Sequence, residues 1–279
     1  MRPRFRALRP ALLLAGLAGF IAPIHLVAQA SPAEAKVRWS LGTSSGAWCV
    51  HFLVSPADAE QHLPRGYRPI SAAETVGIPP ALARTTSDEP EYAGWIPARA
   101  CVVLLAGVGI GDRQYGRGDG GKELALFWWG VSAAGDHLAQ ESGGLALRQL
   151  ATNSSGLKRQ MELELVRMER IDIDKSPIKE SEDERTRVRF NDSELAFDGH
   201  PRPDSTLKLG PIHEVGAMSG DGNRVWVFDL SMQPATIAGM SGALRFQGRD
   251  DLTKLLARSP IRLLGSLTSG GTGEALIRP

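Results

Sequence analysis

Cysteine is almost missing from this chain. There are two, Cys49 and Cys101, and no C-x-x-C spacing. That excludes a zinc ribbon and a dithiol redox motif. An excess of one charge sign is missing as well: 32 Lys and Arg stand against 31 Asp and Glu, a formal net charge of +1. A nucleic acid or other polyanion is therefore not the expected partner. There is no Walker sequence, no H-E-x-x-H and no G-x-S-x-G, which removes the common signatures of phosphate, zinc-hydrolase and serine-hydrolase chemistry. His213-Glu214 lacks the second histidine that zinc would need. Gly107-Val108-Gly109-Ile110-Gly111 follows an apolar run, but no helical pattern follows it. A dinucleotide fingerprint requires that helix. No metal site and no cofactor are expected.

What is present suffices for a packed core. Apolar residues make up 42% and charged residues 23% of 279, ordinary values for a globular domain. No interior linker divides the chain, so residues 31–279 read as one domain. Residues 1–30 read differently. Arg2, Arg4, Arg6 and Arg9 precede an uncharged run from Ala11 to Val27, and Ala28-Gln29-Ala30 has the small-x-small form of a cleavage site. This is the pattern of a secretory signal peptide; the alternative is an uncleaved anchor, which Pro23 and His25 weaken. No later stretch is apolar enough to cross a bilayer as a helix, so no stable membrane span is expected after cleavage. The mature protein is expected to be periplasmic or secreted. In an oxidising compartment Cys49 and Cys101 are either a disulfide or two buried thiols.

Short β-rich runs dominate the rest. Ala47 to Val54, Ala98 to Val108 and Leu124 to Val131 read as strands, the last with Trp128-Trp129 on opposite faces. Ser55-Pro56-Ala57-Asp58 starts a short helix. Ser142 to Leu150 reads as another helix capped by Ser142, and Met161 to Ile173 as a half-buried strand. Shorter alternating runs follow at Arg187–Phe190, Glu194–Phe197, Arg224–Leu230 and Ala243–Phe246. Asp250 caps a helix ending before Pro260, and Ile261 to Thr268 reads as a late strand. Many strands with few short helices predict a mainly antiparallel β fold, closed or nearly closed into a barrel.

One tetrad invites chemistry: Gly156-Leu157-Lys158-Arg159, with Glu123 at the end of a glycine-rich loop upstream. An amine becomes nucleophilic at neutral pH when burial or an adjacent cation disfavours its protonated form. The bland reading is a solvated pair of surface cations.

Several stretches, taken in order, resemble the acetoacetate decarboxylase family. They are the turn His62-Leu63-Pro64-Arg65-Gly66-Tyr67-Arg68-Pro69; Gly121-Lys122-Glu123 leading into Leu124–Val131 and Gly135-Asp136; the tetrad itself; and the closing runs Leu230-Ser231-Met232 and Ser241–Phe246. The resemblance implies a barrel-like β domain around a pocket for a small molecule. It implies Lys158 as Schiff-base nucleophile, a role for which the family enzyme is a standard example. Arg159 would be its neighbouring cation, and Glu123 would line the pocket and orient substrate or relay a proton. The sequence departs from the family pattern in four places. Leu157 replaces a proline, Arg159 replaces a lysine, no acid stands near Cys101, and Ser44-Ser45-Gly46 stand where an arginine is expected. The expected function is thus a Schiff-base-forming lyase acting on a small keto compound. The rival from another class is a non-catalytic binding protein for an apolar small molecule in the cell envelope. A third reading is a structural envelope protein with no pocket. Either a monomer or a homo-oligomer fits the sequence.

Overall fold

The computed structural model describes residues 37–75, 86–135, 138, 144–164, 166–178, 183–209, 212–219, 225–232, 235–259, 262–268 and 273–278. Residues 1–30, the expected signal peptide, and Ser142 lie outside the described residues.

The described strands, in chain order, begin with β1 (Val37–Leu41), β2 (Ser44–Val54), β3 (Arg68–Pro69), β4 (Ile96–Leu105), β5 (Val108–Ile110) and β6 (Arg113–Tyr115). Next come β7 (Leu124–Ala134), β8 (Gly144–Thr152), β9 (Glu169–Arg170), β10 (Asp172–Pro177), β11 (Glu184–Phe190) and β12 (Ser193–Leu209). The last are β13 (Ile212–Ser219), β14 (Val225–Met232), β15 (Ala235–Gln247), β16 (Arg262–Thr268) and β17 (Gly273–Arg278). Among the helices between them are α1 (Pro56–Glu60), α2 (Ser155–Leu163) and α3 (Asp251–Arg258).

All strands join one sheet. Its ladders run from β10 through β11, β12, β15, β16, β2, β4, β7, β8, β13, β14, β17, β1 and β5 to β6. Most pairs are antiparallel; β8 is parallel to both β13 and β9. Among the described residues no ladder joins β6 back to β10, so within them the sheet does not close completely; the mainly antiparallel β fold is as the sequence predicts.

The central strands β2, β4, β7 and β8 are covered on both faces. Trp48, Val50 and Phe52 of β2 lie with Ala100 and Val102 of β4 and Phe127 and Trp129 of β7 in one core, which β10, β11, β12 and α3 cover. The opposite face holds Ala47, Val103, Leu124 and Leu126 in a second core, covered by Trp39, Trp226, Phe228 and the buried side of α2. Alternate residues of one strand therefore serve different cores. Phe52 and Phe127 are fully sealed, each burial stabilising by about 1.5–3 kcal/mol. Phe127 stacks on Phe190 at 5.3 Å between ring centres.

Two sequence expectations change. Residues 144–152 are strand β8 rather than a helix. The Leu145-Ala146-Leu147 run is apolar throughout because both faces of β8 are buried, which hides the period-two signal. Met161 is helical, not the start of a strand. Ser154 caps α2 by accepting a hydrogen bond from the Leu157 amide at 3.3 Å, and Leu157 and Met161, four residues apart, bury one side of the helix. Extended chain resumes only at β9. The α1 start at Ser55 and the α3 start at Asp250 are as the sequence predicts; both side chains accept from the amide three residues on.

Candidate functional site

Helix α2 carries the tetrad, and the glycine-rich segment from Gly109 to Gly121 docks on its first turn. Asp119 accepts from the Ser155 amide at 3.0 Å and from the Ser155 hydroxyl, and it pairs with Arg170 at 2.7 Å. These bonds hold the Asp119 carboxyl below its usual range, the Ser155 amide being the largest cause. Arg113 reaches Gln160 at 2.7 Å. Asn153 donates to the Glu123 carbonyl at 2.7 Å and accepts from the Ala125 amide at 2.9 Å. The loop, β7 and the tetrad are thus one assembly.

The three expected residues differ in burial. Glu123 is exposed and joins the assembly through its main-chain carbonyl. Arg159 is exposed. Lys158 is half-buried, and its ammonium is paired with the Glu162 carboxylate one turn along the helix. The residues of α2 that point inward are Leu157 and Met161, both fully sealed within the second core. The carboxylate that Lys158 meets on its own helix is Glu162.

A second group of residues lies on the face of the central sheet that belongs to this same core. Cys49 and Cys101 are register partners on β2 and β4 and form a disulfide, which decides between the two readings of the cysteines. His51 and Arg99 are the next partners along, two residues away on the same face. Trp128 of β7 faces Cys101. Their opposite-face neighbours are sealed, yet Cys49, His51, Arg99 and Trp128 each keep some accessible surface. His51 and Arg99 nonetheless sit deep in the protein. Burial first, and then Arg99, pull His51 down to about 3, so its imidazole is neutral at neutral pH. Burial pulls Arg99 to about 10, which leaves it cationic. One face of the central sheet thus carries, side by side, one guanidinium, one neutral imidazole, an indole and a disulfide, none of them fully sealed.

No family profile matches the sequence, and no curated protein matches it. Solved structures do. An acetoacetate decarboxylase from Legionella pneumophila superposes with a TM-score of 0.50 at 7% identity, over 85% of this chain and 84% of that one. The fold is that of acetoacetate decarboxylase. An acetoacetate decarboxylase-like enzyme from Sphingomonas wittichii RW1 matches at 0.49 and 9% identity, over 87% of this chain and 90% of its own. The enduracididine biosynthesis enzyme MppR, complexed with pyruvate, matches at 0.48 and 13% identity, over 94% and 96%.

On this decarboxylase-like fold, Arg99 is the residue that sequence reasoning missed, while His51 reads from the sequence as a lone core histidine in an apolar strand. The signal was present: Arg99 is the one formal charge in the otherwise apolar run Ile96–Leu105, and a charge inside a buried strand is rarely there for packing. Among the described residues no group of three His, Cys, Asp or Glu could hold a metal ion, and no helix is long and apolar enough to cross a membrane.

Proposed function

We propose that this is an exported small-molecule-binding protein that uses the acetoacetate decarboxylase fold without its covalent chemistry. The ligand lies on the sheet face formed by Cys49–Cys101, His51, Arg99 and Trp128. It is a largely apolar compound with one anionic end, because Arg99 is the cation of that face and the indole and disulfide are apolar. The observation that carries the reading is the sealed Leu157 at an inward position of α2, beside a Lys158 already paired with Glu162. A Schiff base needs a free amine within reach of a carbonyl carbon, and here the amine must first leave Glu162. The Cys49–Cys101 disulfide supports export, since such bonds persist in oxidising compartments.

A second reading keeps the lyase, with Lys158 as nucleophile, Arg159 as its neighbouring cation and Glu123 as proton relay on a small keto compound. It is favoured by the Lys158 side chain being only 26% exposed. Calorimetric titration with aryl and alkyl carboxylates, against the matching amides, tests the first reading. Carboxylates should bind and amides should bind more weakly. Equal binding of both series would remove Arg99 from the account, and borohydride trapping of a ketone on Lys158 would establish the second reading instead.

A further inference from the structure

A separate cleft of about 700 Å³ opens where the central sheet is interrupted. Strand β8 pairs with β13 as far as Leu147 and with β9 from Ala151 onward. Arg148, Gln149 and Leu150 lie between these ladders, and all three line the cleft. A register shift in the β7–β8 ladder leaves Arg148 as the extra, unpaired residue, and such bulges re-aim a side chain. Across the cleft stands Asp251, the first residue of α3.

Three polar groups meet at its wall without a hydrogen bond among them: Arg148 and Asp251 line the cleft, and His62 lies behind them. Asp251 Oδ2 is 3.9 Å from His62 Nδ1 and 3.7 Å from Arg148 Nη2. Both distances exceed a hydrogen bond, and gaps of that size call for an intervening atom. His62 is 9% exposed, its ring stands edge-on to Trp129, and its Nδ1 is buried with no hydrogen-bond partner. A buried orphan nitrogen is costly unless something fills its valence. Burial, then Arg148, hold His62 below its ordinary value, so the ring is neutral at neutral pH.

The missing atom must accept from a guanidinium and donate to a carboxylate. A hydroxyl does both, whereas a carboxylate only accepts and an ammonium only donates. The other rim charges are already engaged. Glu169 accepts from Gln149 at 2.6 Å and pairs with Arg167 at 3.6 Å, and Asp250 caps Thr253. We propose that this cleft binds a neutral, hydroxyl-rich small molecule, with one hydroxyl seated between His62 Nδ1, Arg148 Nη2 and Asp251 Oδ2. Leu147, Leu150 and Met218 meet its carbon skeleton. The site is independent of the Arg99 face and of any reaction there.

The test uses the full mature chain and saturation-transfer NMR with glycerol and neutral monosaccharides, acetate and ethylammonium serving as charged controls. Calorimetry then measures the best probe on wild type, His62→Phe and Arg148→Met. The neutral polyols should bind in preference to both controls, and each variant should weaken the best probe by about tenfold, the worth of one strong hydrogen bond. Phenylalanine keeps the contact with Trp129 and removes only the nitrogen; Arg148→Met reports on the same seat if His62→Phe fails to fold. Absence of any polyol binding, which would mean the seat holds only water, overturns the proposal. So do charged controls that bind equally well, or variants that bind like wild type.

Discussion

Lys158 and Glu162 face each other across one turn of α2 and are ion-paired, while Leu157, the residue before, is sealed in the core. The helix therefore presents to the protein interior an alkyl group and not an amine. Substitution should separate the two positions. Leu157→Ala should cost about 2–5 kcal/mol, as expected for a buried leucine whose site cannot fully collapse. Lys158→Ala should cost at most about 0.5 kcal/mol, the usual worth of such a pair on a helix surface. Urea unfolding of both variants checks this. A Lys158→Ala variant as damaged as Leu157→Ala would place the lysine inside.

The disulfide should be a major stabiliser. It closes a loop of 52 residues in sequence, and chain entropy assigns about 4 kcal/mol to a loop of that length. The double variant Cys49→Ala, Cys101→Ala should unfold at lower denaturant than the oxidised protein. Wild type in reductant should move toward the variant's midpoint. Two alkylatable thiols in the native, unreduced protein would contradict the bond.

His51 should add a pH dependence of known sign. Its folded value is lowered to about 3 from an ordinary 6.5, so between those values the unfolded chain binds the extra proton. Stability from this group is therefore fully present above about pH 6.5 and is lost as pH falls toward 3, by a few kcal/mol at most. His51→Gln should flatten that part of the stability–pH curve relative to wild type, measured by urea midpoints from pH 4 upward. An unchanged slope would show that His51 is solvated.

The sequence revealed the strands that carry strong β residues and the helices with unambiguous caps. Ala47–Val54 and Leu124–Val131 are strands, and Ser55 and Asp250 start helices. It misled where two-sided burial erases alternation, as at Leu145–Leu147. It also misled at α2: Met161 to Ile173 reads as a strand, yet the helix that Ser154 caps runs to Leu163. The tetrad could be found by its order along the chain, but not its direction. A helix turns each residue by about 100°, so an error in element type decides whether Leu157 or Lys158 points inward. Arg99 and His51 share no motif; only the β2–β4 register brings them together.

Export predicts a processed N-terminus. Protein recovered from the cell envelope or medium should begin near Ser31, by intact mass and N-terminal sequencing. A full-length chain retained in the membrane fraction would favour an anchor.

The most direct test of non-covalent binding at the Arg99 face is one calorimetric series. A panel of small keto-carboxylates is titrated into wild type, Arg99→Met and Lys158→Met, each sample then being treated with borohydride and weighed intact. The account predicts that Arg99→Met loses at least about tenfold in affinity, in line with loss of a charge-assisted hydrogen bond. It predicts that Lys158→Met binds like wild type and that no sample gains mass. A borohydride-fixed adduct on Lys158, together with lost binding in Lys158→Met and normal binding in Arg99→Met, would contradict it.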